Sequence, residues 1–143
     1  SPLDVHGITK TDNPLTYIDR YEMIRDALLD FGVKREEFEI IPFPISNPEV
    51  LLQYTPADAV YYMSICSPWD EEKYQILQSL DLNVEVLWRR KGEEKGITGT
   101  ELRAMIARGE DWQQYMPKTA AEYLERNSID QRIRQLYYTY GGK

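Results

Sequence analysis

The pattern of hydrophobic and polar positions alternates between two kinds of segment. Short apolar runs rich in β-branched and aromatic residues predict buried strands, and segments whose apolar residues recur every three or four positions predict amphipathic helices. The predicted strands are residues 38–43, 59–65 and 83–88. The predicted helices are residues 17–31, 48–54, 68–80, 99–108, 118–126 and 129–138. Strands that alternate with helices indicate an α/β fold with a parallel sheet and right-handed crossovers.

Polar residues, prolines and glycines mark the ends of these helices. Two sites have the spacing of a capping box: Thr16 with Asp19, and Ser128 with Gln131. Two others place a capping residue directly before a proline: Asn47-Pro48 and Ser67-Pro68. Gly32 and Gly109 follow helical segments as stop residues. We therefore predict one domain over residues 1–143, with a loop (1–13), an α/β core (14–109) and C-terminal helices (110–143).

Composition and charge narrow the classes of function. The net charge of −7 argues against a general binder of nucleic-acid polymers or anionic membranes. Cys66 is the single cysteine, which excludes an internal disulfide and a cysteine-based zinc cluster; we expect it to be a plain buried thiol. No apolar run approaches the roughly 18 residues of a membrane span, and no signal-peptide pattern opens the chain. A cytoplasmic location is the expectation.

The segment with the clearest candidate chemistry is a glycine- and threonine-rich loop that runs into a helix. Its residues are Lys95, Gly96, Ile97, Thr98, Gly99, Thr100, Glu101, Leu102 and Arg103. A helix N-terminus carries free backbone N–H groups and a partial positive charge, and an Arg guanidinium matches the oxygens of a phosphate. The segment therefore predicts a phosphate-binding loop. The alternative is an ordinary helix capped by Thr98 or Thr100.

This segment resembles the second signature of the HxGH nucleotidyltransferase superfamily, I-S-x-T-x-x-R, with Thr98 in place of the first serine. Asn13-Pro14-Leu15-Thr16 and the Arg20 that follows resemble the N-P-[FL]-T-x-x-[ED]-R segment of archaeal-type nicotinamide-mononucleotide adenylyltransferases. Gly109-Glu110-Asp111-Trp112, followed by Met116-Pro117-Lys118, resembles their G-E-x-W…[VM]-P-x segment. The resemblance covers roughly residues 10–126 and implies a Rossmann-like, three-layer parallel sheet.

The resemblance implies transfer of an adenylyl group from ATP, with Mg²⁺, to a mononucleotide such as nicotinamide mononucleotide, with release of pyrophosphate. In that family the loop ending at Arg103 holds the triphosphate. Two alternatives remain open: another cytidylyl- or adenylyltransferase of the superfamily, or a non-catalytic nucleotide-binding or assembly module.

The first signature of the superfamily, H-x-G-H, is not found in the chain, whose single histidine is His6. We expect His6 to be a surface residue, and the catalytic residues stay unknown. The resemblance implies that the fold is N-terminally incomplete and that this chain alone is a weak or inactive catalyst. A thin sheet with an exposed edge would then pair with the missing N-terminal segment or with a second copy.

Further candidates for substrate binding surround these motifs. By resemblance, Asn13, Thr16 and Arg20 border the mononucleotide site, although a capped helix with a solvated Arg20 explains them equally. Trp69 follows the predicted strand 59–65 and Trp88 ends the predicted strand 83–88, at the edge where open α/β sheets bind ligands. By resemblance, Trp88 lies where a flat ring such as nicotinamide stacks, and the loop of Trp69 helps to hold the adenine and ribose. The alternatives are a core or rim aromatic for Trp88 and a helix-capping hydrophobic residue for Trp69. Arg90 and Lys95 are possible point charges for the nucleotide. No carboxylate set has the pattern of a metal site, so magnesium is expected only through the nucleotide.

Overall fold

A computed structural model describes residues 13–90 and 96–140. The helices in these ranges are α1 (Tyr17–Asp30), α2 (Pro48–Leu51), α3 (Pro68–Ser79), α4 (Gly99–Arg108), α5 (Lys118–Arg126) and α6 (Ile129–Thr139). The strands are β1 (Val60–Ile65) and β2 (Asn83–Arg89), and single 3₁₀ turns form at Arg35–Glu37 and Gln113–Tyr115. These residues form two compact units, which we call the strand unit (41–90 and 96) and the helical unit (13–40 and 97–140). One domain over residues 1–143 stays a prediction.

The strand unit is built on a parallel pair of strands joined through a helix. β1 and β2 run parallel, with Val60 opposite Asn83 and Met63 opposite Val86, and α3 connects them. Leu51, Leu77 and Leu82 form the buried core, with Tyr61, Met63 and Val84 among the residues packed against it. The predicted α/β class with parallel strands is therefore confirmed.

The helical unit encloses a separate core. α1 packs on α5, and α4 packs on α6. The buried core residues are Met23, Ile106, Trp112, Ala120, Ala121, Tyr123, Leu124, Ile129 and Ile133. Ala121 and Leu124 lie on one face of α5, and both belong to this core.

Several predicted helix ends are confirmed in detail. Thr16 and Asp19 form the predicted capping box of α1, and Ser67 caps α3 by accepting a hydrogen bond from the N–H of Asp70. Gly109 ends α4 with a left-handed φ of 72°, which a residue without Cβ adopts without strain. No helix in the described ranges is long and apolar enough to cross a membrane.

The strand predicted over residues 38–43 is wrong, because this segment has no regular secondary structure. Pro42 and Pro44 have no N–H to donate to a sheet. The chain also turns immediately, since the N–H of Asn47 bonds to the carbonyl of Pro44 at 2.9 Å. The carbonyl of Phe38 accepts from the Arg35 guanidinium at 2.9 Å rather than from a neighbouring strand.

Two other local predictions are corrected. The helix predicted to reach residue 54 ends at Leu51, because the next N–H groups bond three residues back, as in a tightening last turn. Asn47 makes no side-chain capping bond. The capping box of Ser128 with Gln131 does not form either, since Ser128 has left-handed backbone angles instead of the extended ones a side-chain cap needs.

Candidate functional site

The helical unit contains a cavity of about 260 Å³ that two of the predicted motifs share. Its polar lining comes from Asn13 and Arg20, in the N-P-L-T segment and the first turn of α1, and from Gly99 and Arg103 at the start of α4. The apolar lining is Pro14, Leu15, Met23, Leu102, Ile106, Met116, Leu124 and Ile133. Folding therefore brings the N-P-L-T segment and the Thr-Gly-Thr-x-x-Arg segment to one cavity with an apolar floor and two guanidinium groups.

Arg20 bonds to the segment that precedes α1, residues 13–16, which we call the cavity wall. Its Nη1 donates to the carbonyl of Leu15 at 3.1 Å and to Oδ1 of Asn13 at 3.3 Å. Burial lowers the pKa of Arg20 from its ordinary value, which marks a charge partly withdrawn from water. Such a charge attracts an anionic ligand more strongly than a fully solvated one would. The alternative interpretation, a fully solvated Arg20, is therefore the weaker description.

Side chains of the helical unit bond to three backbone groups of the cavity wall: the carbonyls of Pro14 and Leu15 and the N–H of Thr16. Asp19 is buried, with 7% of its surface exposed. Its Oδ2 accepts from the N–H of Thr16 at 3.0 Å and from Nη1 of Arg132 at 2.9 Å. The same Nη1 donates to the carbonyl of Pro14 at 2.9 Å. Arg132 of α6 and Asp19 of α1 thus form a partly buried ion pair that fixes residues 14–16.

Tyr123 completes this network from α5. Its hydroxyl lies 3.1 Å from Oδ1 of Asp19 and 3.2 Å from Oε1 of Glu22. Burial, and then the hydrogen bond to Asp19, raise the pKa of Tyr123 to about 12, so the phenol stays protonated as a donor. Burial alone would raise the pKa of Asp19, but the bonds from Thr16 and Arg132 outweigh it and hold that pKa below its ordinary value.

At the start of α4, Thr98 and Arg103 both bond within the first turns of the helix. Oγ1 of Thr98 accepts from the N–H of Glu101 at 3.1 Å and lies 3.1 Å from the Glu101 carboxylate. Thr98 is therefore the N-cap, as one interpretation predicted. Nη2 of Arg103 donates to Oγ1 of Thr100 at 3.3 Å, so the guanidinium lies back over the first turn.

Gly99 makes room for that guanidinium. A Cβ at this position would lie 3.0 Å from Nη1 of Arg103, which is tighter than ordinary contact. The backbone of Gly99 is not left-handed, in contrast to that of Gly96, whose φ is 89°. The glycine at position 99 therefore serves the close approach of Arg103, and the one at position 96 serves the turn of the chain.

The strand unit holds a second, more open depression of about 790 Å³ at the carboxyl ends of β1 and β2. It is lined by Ile65, Cys66, Ser67, Pro68, Glu71, Arg89 and Arg90. Arg89 is paired with Glu71. Trp88 is 44% exposed, and the Arg90 guanidinium lies 4.9 Å from its ring centroid. Trp69 is equally exposed, with the Lys73 ammonium 5.7 Å from its ring.

Both tryptophans are therefore partly exposed aromatics that make a cation–π contact with a neighbouring basic side chain. Their predicted role in substrate binding stays a prediction, as does the phosphate role of Gly96, Ile97, Thr98 and Thr100. Cys66 is half-buried. Lys95 and His6 lie outside the described residues. In the ranges that the structure describes, no three His, Cys, Asp or Glu side chains are grouped as a metal site would require.

Arg132 and Tyr123 are the site residues that sequence reasoning missed. Arg132 lies 113 positions from Asp19 and Tyr123 lies 104 positions from it. Helical periodicity gives each of them only a position on a helix face. No local pattern connects them with the N-P-L-T segment, so only an expectation about helix packing would have found them.

Comparison with known proteins gives relatives of one chemical class. The chain is 39% identical over 122 residues to phosphonoformate cytidylyltransferase of Streptomyces viridochromogenes, which covers 85% of this chain and 65% of that protein. It is 26% identical to nicotinamide-nucleotide adenylyltransferase of Saccharolobus solfataricus, over 97% of this chain and 78% of the relative. It is 28% identical to the enzyme of the same name from Pyrococcus furiosus, over 87% and 65%.

No family model matches the chain, and no solved structure matches it. The chain spans less than two thirds of the length of the cytidylyltransferase. Its relatives nevertheless agree in transferring a nucleotidyl group, as their names state, and its parallel α/β fold agrees with the resemblance of its motifs. The chain is a homologue of cytidylyl- and adenylyltransferases, and its motifs resemble those of the nucleotidyltransferase superfamily.

Proposed function

We propose that this protein takes part in nucleotidyl transfer from a nucleoside triphosphate to a small phosphorus oxyanion, with release of pyrophosphate. The observation that carries the proposal is the cavity of the helical unit, where Arg20 and Arg103 converge with the start of α4. Two cations over an apolar floor suit a ligand that is anionic at one end and apolar at the other. The nucleotidyltransferase relatives support the same reaction class.

Within this class, cytidylyl transfer from CTP to a phosphonate is the leading candidate. The relative named phosphonoformate cytidylyltransferase shares 39% identity with the chain, against 26% and 28% for two adenylyltransferases. A phosphonate carries the same kind of nucleophilic oxygen as a phosphate monoester, so the two reactions place the same demands on the groups that hold the triphosphate.

Adenylyl transfer from ATP to nicotinamide mononucleotide is the second candidate. The N-P-L-T segment with Arg20, and the G-E-D-W segment that follows α4, favour it. Asn13 and Arg20 of that segment line the cavity.

The proposed chemistry is an in-line displacement. An oxygen of the acceptor attacks the α-phosphorus of the triphosphate, a new P–O–P bond forms, and the bond to the β-phosphate breaks as pyrophosphate leaves. Such a reaction depends mainly on positioning and on stabilising charge. Arg103 and the N–H groups of the first turn of α4 would hold the β- and γ-phosphates and stabilise the leaving pyrophosphate. Magnesium would enter with the triphosphate, because the described residues offer no metal cluster of their own.

A paired test separates these possibilities. Calorimetric titration of the chain with CTP and with ATP, each with magnesium, measures nucleotide binding. Pyrophosphate release by the full-length product of the gene is then measured for each nucleotide with phosphonoformate or with nicotinamide mononucleotide. Release with CTP and phosphonoformate alone supports the first candidate, and release with ATP and nicotinamide mononucleotide alone supports the second. If neither nucleotide binds and no pair releases pyrophosphate, the proposed function is wrong.

A further inference from the structure

The cavity wall, residues 13–16, has no secondary structure of its own, and its first three residues line the cavity. The polar backbone groups of its last three residues are held by side chains instead: Arg132 holds the carbonyl of Pro14, Arg20 that of Leu15, and Asp19 the N–H of Thr16. A segment without secondary structure is positioned by the hydrogen bonds of its backbone groups to the rest of the protein. These side chains therefore determine the position of the cavity wall.

Arg132 has a special place in this arrangement. A single nitrogen, Nη1, bonds at 2.9 Å both to the carbonyl of Pro14 and to the Asp19 carboxylate. Asp19 in turn holds the N–H of Thr16, which begins α1 and thus sets the turn that carries Arg20. Arg132 is not among the residues that line the cavity. Any effect it has on a ligand therefore passes through the wall.

We propose that Arg132 is a positioning residue for the ligand of this cavity: it fixes residues 14–16 and thereby directs Asn13 and Arg20 toward the bound anion. The inference rests on the proposed function, since it assumes that the nucleotide or its acceptor occupies the cavity. A displacement of about 1 Å at a binding group is enough to cost 100-fold in activity, so a wall that is loosened by this amount affects the ligand strongly.

The matched control is Arg134, two positions along the same helix. Arg134 also bonds to backbone carbonyls of the helical unit, those of Ile106 and Ala107 at 3.3 Å. These carbonyls belong to the last turn of α4, where Ile106 contributes apolar lining, whereas the groups proposed to meet the anion, Gly99 and Arg103, belong to its first turns. Arg132→Met and Arg134→Met thus each remove one half-buried guanidinium that bonds to carbonyl groups, but only the first loosens the wall.

The experiment measures CTP and ATP affinity by calorimetry, and hydrogen exchange of the peptide covering residues 13–20 by mass spectrometry. We expect Arg132→Met to raise the Kd about 10- to 100-fold and to accelerate exchange in that peptide. Arg132→Lys, which keeps a cation with several donors, should recover most of the affinity. Arg134→Met should change neither quantity, even where it lowers the thermal midpoint. In the full-length protein, Arg132→Met should act on KM more than on kcat if the wall serves binding.

Arg132→Met leaves the Asp19 carboxylate buried without its cation and can unfold the protein. The double variant Asp19→Asn with Arg132→Met removes both charges and tests the same wall. Native affinity and slow exchange in whichever of the two variants is folded overturn the inference, and so does an equal loss of affinity in Arg134→Met. The proposed function is tested separately by Arg103→Ala. If that change leaves affinity intact, the cavity is not the nucleotide site and both proposals fail; if it weakens binding while Arg132→Met does not, only this inference fails.

Discussion

Replacement of Arg103 by Ala is the most direct test of the cavity as a phosphate site. The guanidinium lies over the first turn of α4, where a triphosphate would approach the helix N-terminus. A charge-assisted hydrogen bond contributes about 1.5–3 kcal/mol. Arg103 already donates to Thr100 at 3.3 Å, so part of its bonding is exchanged rather than gained when a ligand binds.

We therefore expect the lower part of that range, about 1.5–2 kcal/mol, which raises the Kd about 10- to 30-fold. Calorimetric titration with CTP and ATP measures it, with circular dichroism to show that α4 is intact. Arg103→Lys should lie between the wild type and Arg103→Ala, because an ammonium keeps the charge and loses the planar fork.

Arg108→Ala is the control, since Arg108 lies at the other end of the same helix, with 52% of its side chain exposed and Glu110 as its partner. Unchanged affinity in Arg103→Ala would refute the phosphate role. An equal loss in Arg108→Ala would show that the effect is the general charge of the helix and not the position of Arg103.

Four further substitutions have definite outcomes. Glu101→Gln removes a carboxylate from the start of α4 and should strengthen triphosphate binding by about 0.3–1 kcal/mol at low salt, as measured by calorimetry; weaker binding would contradict this. Gly109→Ala should lower the free energy of unfolding in urea by about 1 kcal/mol because φ is 72°, whereas Gly99→Ala should weaken binding with little loss of stability. The lowered pKa of Asp19 stabilises the fold above its ordinary value of 3.8, and this stabilisation is lost as the pH falls through the lower folded-state pKa. The free energy of unfolding should then fall more steeply below about pH 4 in the wild type than in Asp19→Asn, and parallel curves would exclude this role.

Local sequence signals predicted those parts of the fold that local physics decides. The Thr16 cap, the Gly109 stop and the 118–126 helix were confirmed because a capping oxygen, a left-handed glycine and an apolar stripe act within one or two turns of chain. Residues 38–43 were wrongly predicted as a strand. An apolar run indicates that a segment is at least partly buried, but it does not show that a neighbouring strand is available for pairing. Pro42 in that run and Pro44 just after it were the better signal, because proline has no N–H to donate to a sheet.

The site divides in the same way. The motif residues Asn13, Arg20, Gly99 and Arg103 were found from the sequence, and the structure gathers all four around one cavity. The network behind them was not found, because the bond between Asp19 and Arg132 joins residues 113 positions apart and depends on how α1 and α6 are packed. A resemblance of motifs identified the candidate ligand-binding groups that line the cavity, whereas the groups that hold them in place follow from tertiary packing.

Thr98 shows how a motif residue can serve the fold and the ligand together. Its hydroxyl is engaged twice with Glu101, once as acceptor and once as donor, so it is already used as the cap. Helix geometry leaves the N–H groups of the first turn without carbonyl partners from the same helix, and the cap satisfies only the one at Glu101. A phosphate would therefore be met by the N–H groups of Gly99 and Thr100 and by Arg103, with Thr98 holding that turn in place. Under the proposed function, the capped helix and the phosphate loop are one structure, in which the cap orients the donors that the anion requires.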